Sequence, residues 1–583
     1  MSCARARTAA HRKRVTGTPS FRARVQHVGI GPLLLAPLMM TRRALVLLTL
    51  VAVAPLTVTL AQFADAPRAT TKEGVVQGLA LASGVRSFRG IPYASPPVRD
   101  LRWKPPQPAA RWSGVRLADR FDDQCLQARV FGDMMFRNAG GSEDCLYLNV
   151  WTPADATPTS RFPVLFYIFG GGWVAGDGSE PRYDGESMAT RGIVVVTISH
   201  RLGIFGYFAH PELTAESPAK ASGNYGSLDQ TAALRWVRDN IAAFGGDATA
   251  VAIAGESAGS FAVSGLMASP LSRTLFARAI GESGSQVGAP TPFRALNEQA
   301  GVTFATRVRT PSLSALRAMS ATELLEAAGL PGMPRFRAIV DGYFLPDQPS
   351  QIYARGEQAK VPLLAGWNSE EMNGRALLQG AGEATPERVR AILTRQFGAR
   401  AADAERFFPV GTPGEAIQSL TDLAGDRFIG STTWKWLEEH GRTSGQPVYR
   451  YLYARPRPAT VESGVTANMA GGVTRGAGTA AAALATGAVH SAEVEYALGN
   501  LALNPVFAWT SDDFTVSATM QGYFEHFIKR GDPNGAGLPV WPVGVADGNG
   551  QVRRMRIDVE SRPETEPTAR YRFLEQHGRV TLP

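Results

Sequence analysis

The 583-residue chain has only three cysteines, no cluster of potential metal ligands and no glycine-rich phosphate loop. These absences leave a resident metal or a bound nucleotide without support, and no cofactor is expected. No internal repeat is present, which excludes solenoid and propeller architectures. The apolar run Ala44–Leu60 is seventeen residues long and contains Pro55, too short and too interrupted for a stable membrane span. An excess of positive charge is also missing where it would matter. The net charge is +9, but residues 1–43 hold nine of the 60 basic residues and no acid; the remainder carries 51 of each sign. The high isoelectric point is therefore no argument for nucleic acid as a partner.

Those first residues read as targeting rather than fold. Arg42-Arg43, the apolar run and the small-residue exit Thr59-Leu60-Ala61 form a secretory signal over residues 40–61. Because the signal is internal, translation is expected to start at Met39 or Met40, with residues 1–39 an unstructured extension or a misplaced start. The mature chain, 62–583, is expected in the periplasm or outside the cell, with no membrane span once the signal is removed. Cys125 and Cys145 remain after Cys3 is lost with the leader, and export favours a disulfide between them.

What is present is a strand–turn–helix signal. Ala250–Ala254 is apolar, Gly255-Glu256-Ser257-Ala258-Gly259 is a G-x-S-x-G pentapeptide, and Ser260–Met267 can open a helix. This context holds a serine on a strained turn, with its hydroxyl exposed beside a helix N-terminus. A second string, Gly281-Glu282-Ser283-Gly284-Ser285, lacks the closing glycine and reads as a chance likeness. The unbroken apolar run at 164–169 predicts a central strand buried on both faces, and 193–199 reads as a second central strand. Later strands are expected at 361–366 and 448–453, helices at 226–241, 290–335 and 375–440, and a flexible loop at 464–487. Alternating strands and helices predict a mostly parallel sheet flanked by helices, with helical cap insertions.

A serine hydroxyl needs a base and a group that orients the base. Among eight histidines, His490 follows the flexible loop at 464–487 and stands far downstream of Ser257, as the order nucleophile, acid, histidine requires. The acid should leave the strand at 361–366, where Glu370 and Glu371 are both available. Gly170-Gly171-Gly172-Trp173 directly after a core strand suggests backbone donors for an oxyanion: the N–H groups of Gly171 and Gly172 with that of Ala258. Trp173, Phe205 and Tyr207 are candidate apolar walls of a substrate pocket.

These motifs, with Phe88–Ala94, Glu143–Asn149, Arg201-Leu202-Gly203, Phe244–Asp247, and Gly531–Asn534 before Trp541-Pro542, make the chain resemble the type-B carboxylesterases over residues 73–545. That cholinesterase-like group includes bacterial para-nitrobenzyl esterases. The resemblance implies an α/β-hydrolase fold and a triad of Ser257, His490 and Glu371. Glu371 is preferred to Glu370 because the family places its glutamate five residues after the strand-end glycine. It also implies the Cys125–Cys145 pair and hydrolysis of small-molecule carboxylic esters through an acyl-enzyme. Two positions depart from the pattern: Phe169 stands where many relatives carry histidine, and Met372 where they carry glycine. The same fold serves non-catalytic binding proteins in relatives. The same acyl-enzyme chemistry also serves transacylation and the cleavage of lactones, toxin esters or polymer esters.

Overall fold

The apolar runs at 164–169 and 193–199 become adjacent parallel strands because every side chain in them can be buried on one face or the other. In the computed structural model the strands of the main sheet are β1 (Leu79–Ala80), β2 (Arg86–Pro92), β3 (Tyr147–Thr152), β4 (Phe162–Ile168), β5 (Val194–Ile198), β6 (Gly246–Glu256), β7 (Arg278–Glu282), β8 (Leu363–Asn368), β9 (Val448–Tyr453), β10 (Arg553–Ile557) and β11 (Arg562–Thr565). Their spatial order is β11-β10-β9-β8-β7-β6-β4-β5-β3-β2-β1. The stretch from β5 through β10 is parallel, and the outer pairs are antiparallel. This is an α/β-hydrolase fold with a mostly parallel central sheet. Structure is described for residues 66–132, 134–378, 382–467, 473–475, 486–546, 548 and 550–578. These described residues form one compact unit. The extension at 1–39, the signal at 40–61 and residues 62–65 lie outside the described residues.

Alternation along β4 divides its side chains between two cores. Val164, Phe166 and Ile168 join Val263 and Leu266 of the helix Ala258–Ala268. Leu165 and Tyr167 join Tyr523, Phe524 and Phe527 of the helix Ser511–Arg530 on the other face. Each such fully buried side chain contributes about 1.5–3 kcal/mol. The long helix begins with a capping box between Thr510 and Asp513 and ends at Gly531 in the left-handed region, so local signals set both of its limits. The helices expected within 290–335 are Arg294–Arg307, Leu313–Ala318 and Ala321–Gly329. Those within 375–440 include Pro386–Phe397, Pro413–Gly425 and Ser431–Thr443.

Cys125 and Cys145 are bonded, S–S 2.02 Å. The segment 464–487, read from composition as a loop, contains two short strands, Val465–Ala467 and Val473–Arg475, paired antiparallel. A Gly/Ala/Thr-rich composition hides such a pair because it carries no apolar alternation. Residues 468–472 and 476–485 of that segment lie outside the described residues. Among the described residues no helix is long and apolar enough to cross a membrane.

Candidate active site

β6 ends at Glu256, and the next helix starts at Ala258. Ser257 alone makes the turn, at φ 54° and ψ −123°, a conformation that costs a non-glycine residue on the order of 1–3 kcal/mol. Close packing holds it there. A Cβ on Gly259 would lie 2.1 Å from the Ile168 carbonyl oxygen, so only glycine lets the helix start this close to β4. The Ser257 N–H donates to the Glu282 carbonyl at the end of β7, 2.8 Å.

His490 reaches Ser257 from a segment pinned to the end of β8. The Glu370 N–H donates to Ala488 O (2.8 Å), Asn368 Nδ2 to Val489 O (2.8 Å) and the Ala488 N–H to Ser369 Oγ (2.9 Å). The His490 Nε2 then lies 2.9 Å from Ser257 Oγ, and Nδ1 lies 2.5 Å from Glu371 Oε2. Glu371 also accepts from the Asn368 N–H (2.7 Å) and from Ser283 Oγ (2.6 Å). Glu370 points elsewhere. It accepts from Asn373 (2.8 Å), from Thr486 Oγ1 (3.2 Å) and from the Gly487 N–H (3.0 Å), so it holds the segment that carries His490 without touching the imidazole.

The surroundings are more acidic than the sequence suggested. Glu256 Oε1 lies 3.2 Å from His490 Nε2 and accepts from Ser491 Oγ at 2.7 Å; Ser491 is itself left-handed, at φ 64°. Glu493 accepts from Asn368 Nδ2 (2.5 Å) and lies 3.1 Å from Ser283 Oγ. Burial opposes charge on His490, but the carboxylates of Glu256 and Glu371 outweigh it and raise the imidazole to about 9. Burial, reinforced by the charges of Glu256 and Glu371, raises Glu493 to about 8. Ser283 Oγ, with its single proton, stands between the carboxyl groups of Glu371 and Glu493. Ser283 sits at φ 61°, a second serine turned out at a strand end. Glu256 and Ser283 carry no role in the sequence reading, and Glu493 enters it only as a residue that accompanies His490 in the family resemblance. Ser283 stands in the string that read as a chance likeness, and Glu256 is the free position of the pentapeptide.

After β4 the chain turns through Gly171 (φ 118°), Gly172 (φ 64°) and Trp173 (φ 64°). Among the described residues neither the Gly171 nor the Gly172 N–H has an acceptor. The Ala258 N–H, in the first helical residue, has no intrahelical partner. Gly170, at the start of this turn, lies beside Ser257: a Cβ on it would be 3.0 Å from the Ser257 Cβ. The set can supply a nucleophile, a base and hydrogen bonds to developing negative charge.

Of the three expected walls, Trp173 packs edge-on against Phe261 of the Ser257 helix, 5.3 Å between centroids. Phe205 and Tyr207 are buried in a cluster with Trp103 and Phe208 and back this region as core. An unexpected aromatic is Phe428, whose ring lies 5.1 Å from the His490 ring. It sits on a π-helical turn, Asp426–Gly430, a departure from regular helix that sequence periodicity does not reveal. Phe169, one of the two departures, stacks on His200 at 4.5 Å; burial lowers that histidine to about 4 and keeps it neutral. Met372, the other, is partly buried, and its backbone packs against Gly425.

Comparison with known proteins places this geometry in context. The model of the carboxylesterase family matches residues 65–573. The chain is 35% identical to fumonisin B1 esterase of Sphingopyxis macrogoltabida over 499 residues, 81% of this chain and 83% of that protein. It is 34% identical to liver carboxylesterase 1 of Oryctolagus cuniculus over 506 residues, 79% of this chain and 84% of that one. Among solved structures, a PNB esterase covers 88% of this chain and 100% of its own, with a TM-score of 0.68 at 29% identity. The Geobacillus stearothermophilus carboxylesterase covers 87% and 99%, with a TM-score of 0.71 at 28% identity.

Proposed function

The chain belongs to the carboxylesterase family and is a carboxylic ester hydrolase, and from that premise we propose that it is an exported serine esterase acting through Ser257, His490 and Glu371. Ser257 Oγ attacks the ester carbonyl carbon while its proton passes to His490 Nε2. Glu371 accepts from Nδ1, holds the ring in the required tautomer and balances the imidazolium. The oxyanion accepts from the N–H groups of Gly171, Gly172 and Ala258. Collapse breaks the bond to the alcohol, which leaves with the His490 proton. Water, deprotonated by His490, then attacks the acyl-enzyme and releases the acid and free Ser257. No cofactor enters these steps.

The observation that carries this reading is the continuous chain of contacts from Ser257 to His490 (2.9 Å) and on to Glu371 (2.5 Å) inside a buried site. A non-catalytic binding protein would have no use for a left-handed serine aimed at an imidazole. The substrate is a small-molecule ester whose apolar part rests against Trp173, Phe261 and Phe428. The relative that is a fumonisin B1 esterase makes a toxin ester a reasonable member of any substrate panel. The signal at 40–61 and the Cys125–Cys145 bond support an oxidising destination, periplasmic or extracellular. Turnover of p-nitrophenyl esters of graded chain length by the purified enzyme, with Ser257→Ala beside it, tests the activity. N-terminal sequencing of exported protein, with a start near Gln62 expected, tests the leader. An intact leader would refute export by this signal.

A further inference from the structure

The strained turn that carries the Gly171 and Gly172 donors is gripped from outside by the disulfide-closed loop. Gln127, two residues after Cys125, pairs its side-chain amide with both backbone groups of Gly176. Its Oε1 accepts from the Gly176 N–H at 2.7 Å, and its Nε2 donates to the Gly176 carbonyl at 2.9 Å. The same Nε2 donates back to the Cys125 carbonyl at 3.0 Å. A donor on one side and an acceptor on the other leave the amide a single orientation, equivalent to one rung of a β-ladder.

Gly176 is the far end of the donor turn. Its own φ is 121°, and a Cβ there would lie 2.4 Å from the Gly170 carbonyl oxygen, so the two ends of the turn touch. Within it, the N–H groups of Val174 and Ala175 both donate to the Gly171 carbonyl at 3.1 Å. Met134, from the same disulfide loop, closes the other side: its Cε would be 3.2 Å from a Cβ on Gly171. Further along, Arg137 Nε donates to Ser179 O (2.6 Å) and Asn138 Nδ2 to Asp177 Oδ2 (3.0 Å). Three consecutive left-handed residues at 171–173 persist only where the surroundings over-determine them, and this loop supplies that constraint.

We infer that Gln127 is a positioning residue for the oxyanion site, and that the Cys125–Cys145 bond acts in catalysis by holding Gln127 on Gly176. The inference rests on the assignment of Gly171 and Gly172 as oxyanion donors. Gln127→Met keeps the volume and removes both hydrogen bonds. The purified, exported enzyme is counted by fluorophosphonate titration, so that a smaller folded fraction lowers the site count and not kcat. Expected is a fall in kcat per site of about 10- to 100-fold, as donors shift by fractions of an ångström to an ångström, with KM within about threefold. Affinity for a trifluoromethyl ketone, which forms a hemiketal oxyanion on serine, falls in parallel. The pair Cys125→Ser/Cys145→Ser lowers kcat too, and adding Gln127→Met lowers it by less than the product of the two effects, because both act through one contact. Wild-type kcat per site in Gln127→Met, or losses that multiply, would overturn the inference. Ser257→Ala separates the two levels. A dead Ser257→Ala with a fully active Gln127→Met removes the positioning role alone, whereas an active Ser257→Ala removes the underlying reading and this inference with it.

Discussion

Replacing Glu371 by Gln changes one atom of the side chain and reverses the hydrogen bonding that fixes His490. The carboxylate accepts from three donors: His490 Nδ1 at 2.5 Å, Ser283 Oγ at 2.6 Å and the Asn368 N–H at 2.7 Å. A glutamine has one acceptor oxygen and an NH2 group. If the oxygen stays on the side of Asn368 and Ser283, two bonds survive and the NH2 faces Nδ1. The imidazole then carries its proton on Nε2, pointing at Ser257, and cannot accept the serine proton. A tautomer trapped in this way costs about 10⁴ in kcat, about 5.5 kcal/mol at 1.36 kcal/mol per decade. The fold should survive, because volume and two of the three contacts are kept. Glu370→Gln is the matched control. Glu370 binds Asn373, Thr486 and Gly487 and never the ring, so less than about a tenfold change is expected. The assay is steady-state hydrolysis of p-nitrophenyl butyrate, normalised by circular dichroism and thermal unfolding. More than a tenth of wild-type kcat in Glu371→Gln, or a larger loss in Glu370→Gln, would refute the assignment.

Three further outcomes follow from the same contacts. His490 is raised to about 9, so the neutral base appears only as pH rises through that range; the acid limb of kcat/KM should lie above 6.5, and Glu256→Gln, which removes a carboxylate 3.2 Å from Nε2, should move it down. Because the folded value lies above the unfolded one, the His490 contribution to stability is complete below about 6.5 and lost as pH rises through about 9; a wild-type limb at or below 6.5 would contradict both statements. Cys125→Ser/Cys145→Ser opens a loop with a sequence separation of 20 and should cost about 3 kcal/mol in denaturant unfolding; two alkylatable thiols in the native exported enzyme would show that the bond is not formed. Phe428→Ala, which removes the ring 5.1 Å from His490, should raise kcat/KM for bulky esters relative to acetate esters, and an unchanged ratio would remove Phe428 from the pocket.

How far the sequence could be read depended on whether a feature is local. The elbow is local: two glycines, a serine and a flanking strand and helix are contiguous, so Ser257 stood out. β4 and β5 are largely apolar runs and were equally plain. His490 needed chain order as well as residue type. Glu370 and Glu371 are adjacent carboxylates leaving one strand, and composition cannot say which turns inward; only the family resemblance separated them. The roles of Ser283 and Glu256 were invisible, and Glu493 was legible only as a family match beside His490, because their environment is assembled from the ends of β6, β7 and β8 and the His490 segment, brought together by the sheet. Gln127 lies 49 residues from Gly176, and a glutamine that mimics a ladder rung has no pattern in sequence. The antiparallel strand pair within 464–487 is hidden in a stretch whose composition signals only a loop.

The most direct test of the central claim is a covalent one. Rapid acid quench of the enzyme in the pre-steady-state burst with p-nitrophenyl butyrate, followed by peptide mass mapping, should find a butyryl group on Ser257 at close to one per active site. Ser257→Ala should show no adduct and turnover lower by about 10⁴–10⁶. An adduct on another residue, or a Ser257→Ala enzyme that keeps more than a tenth of wild-type kcat, would contradict the account.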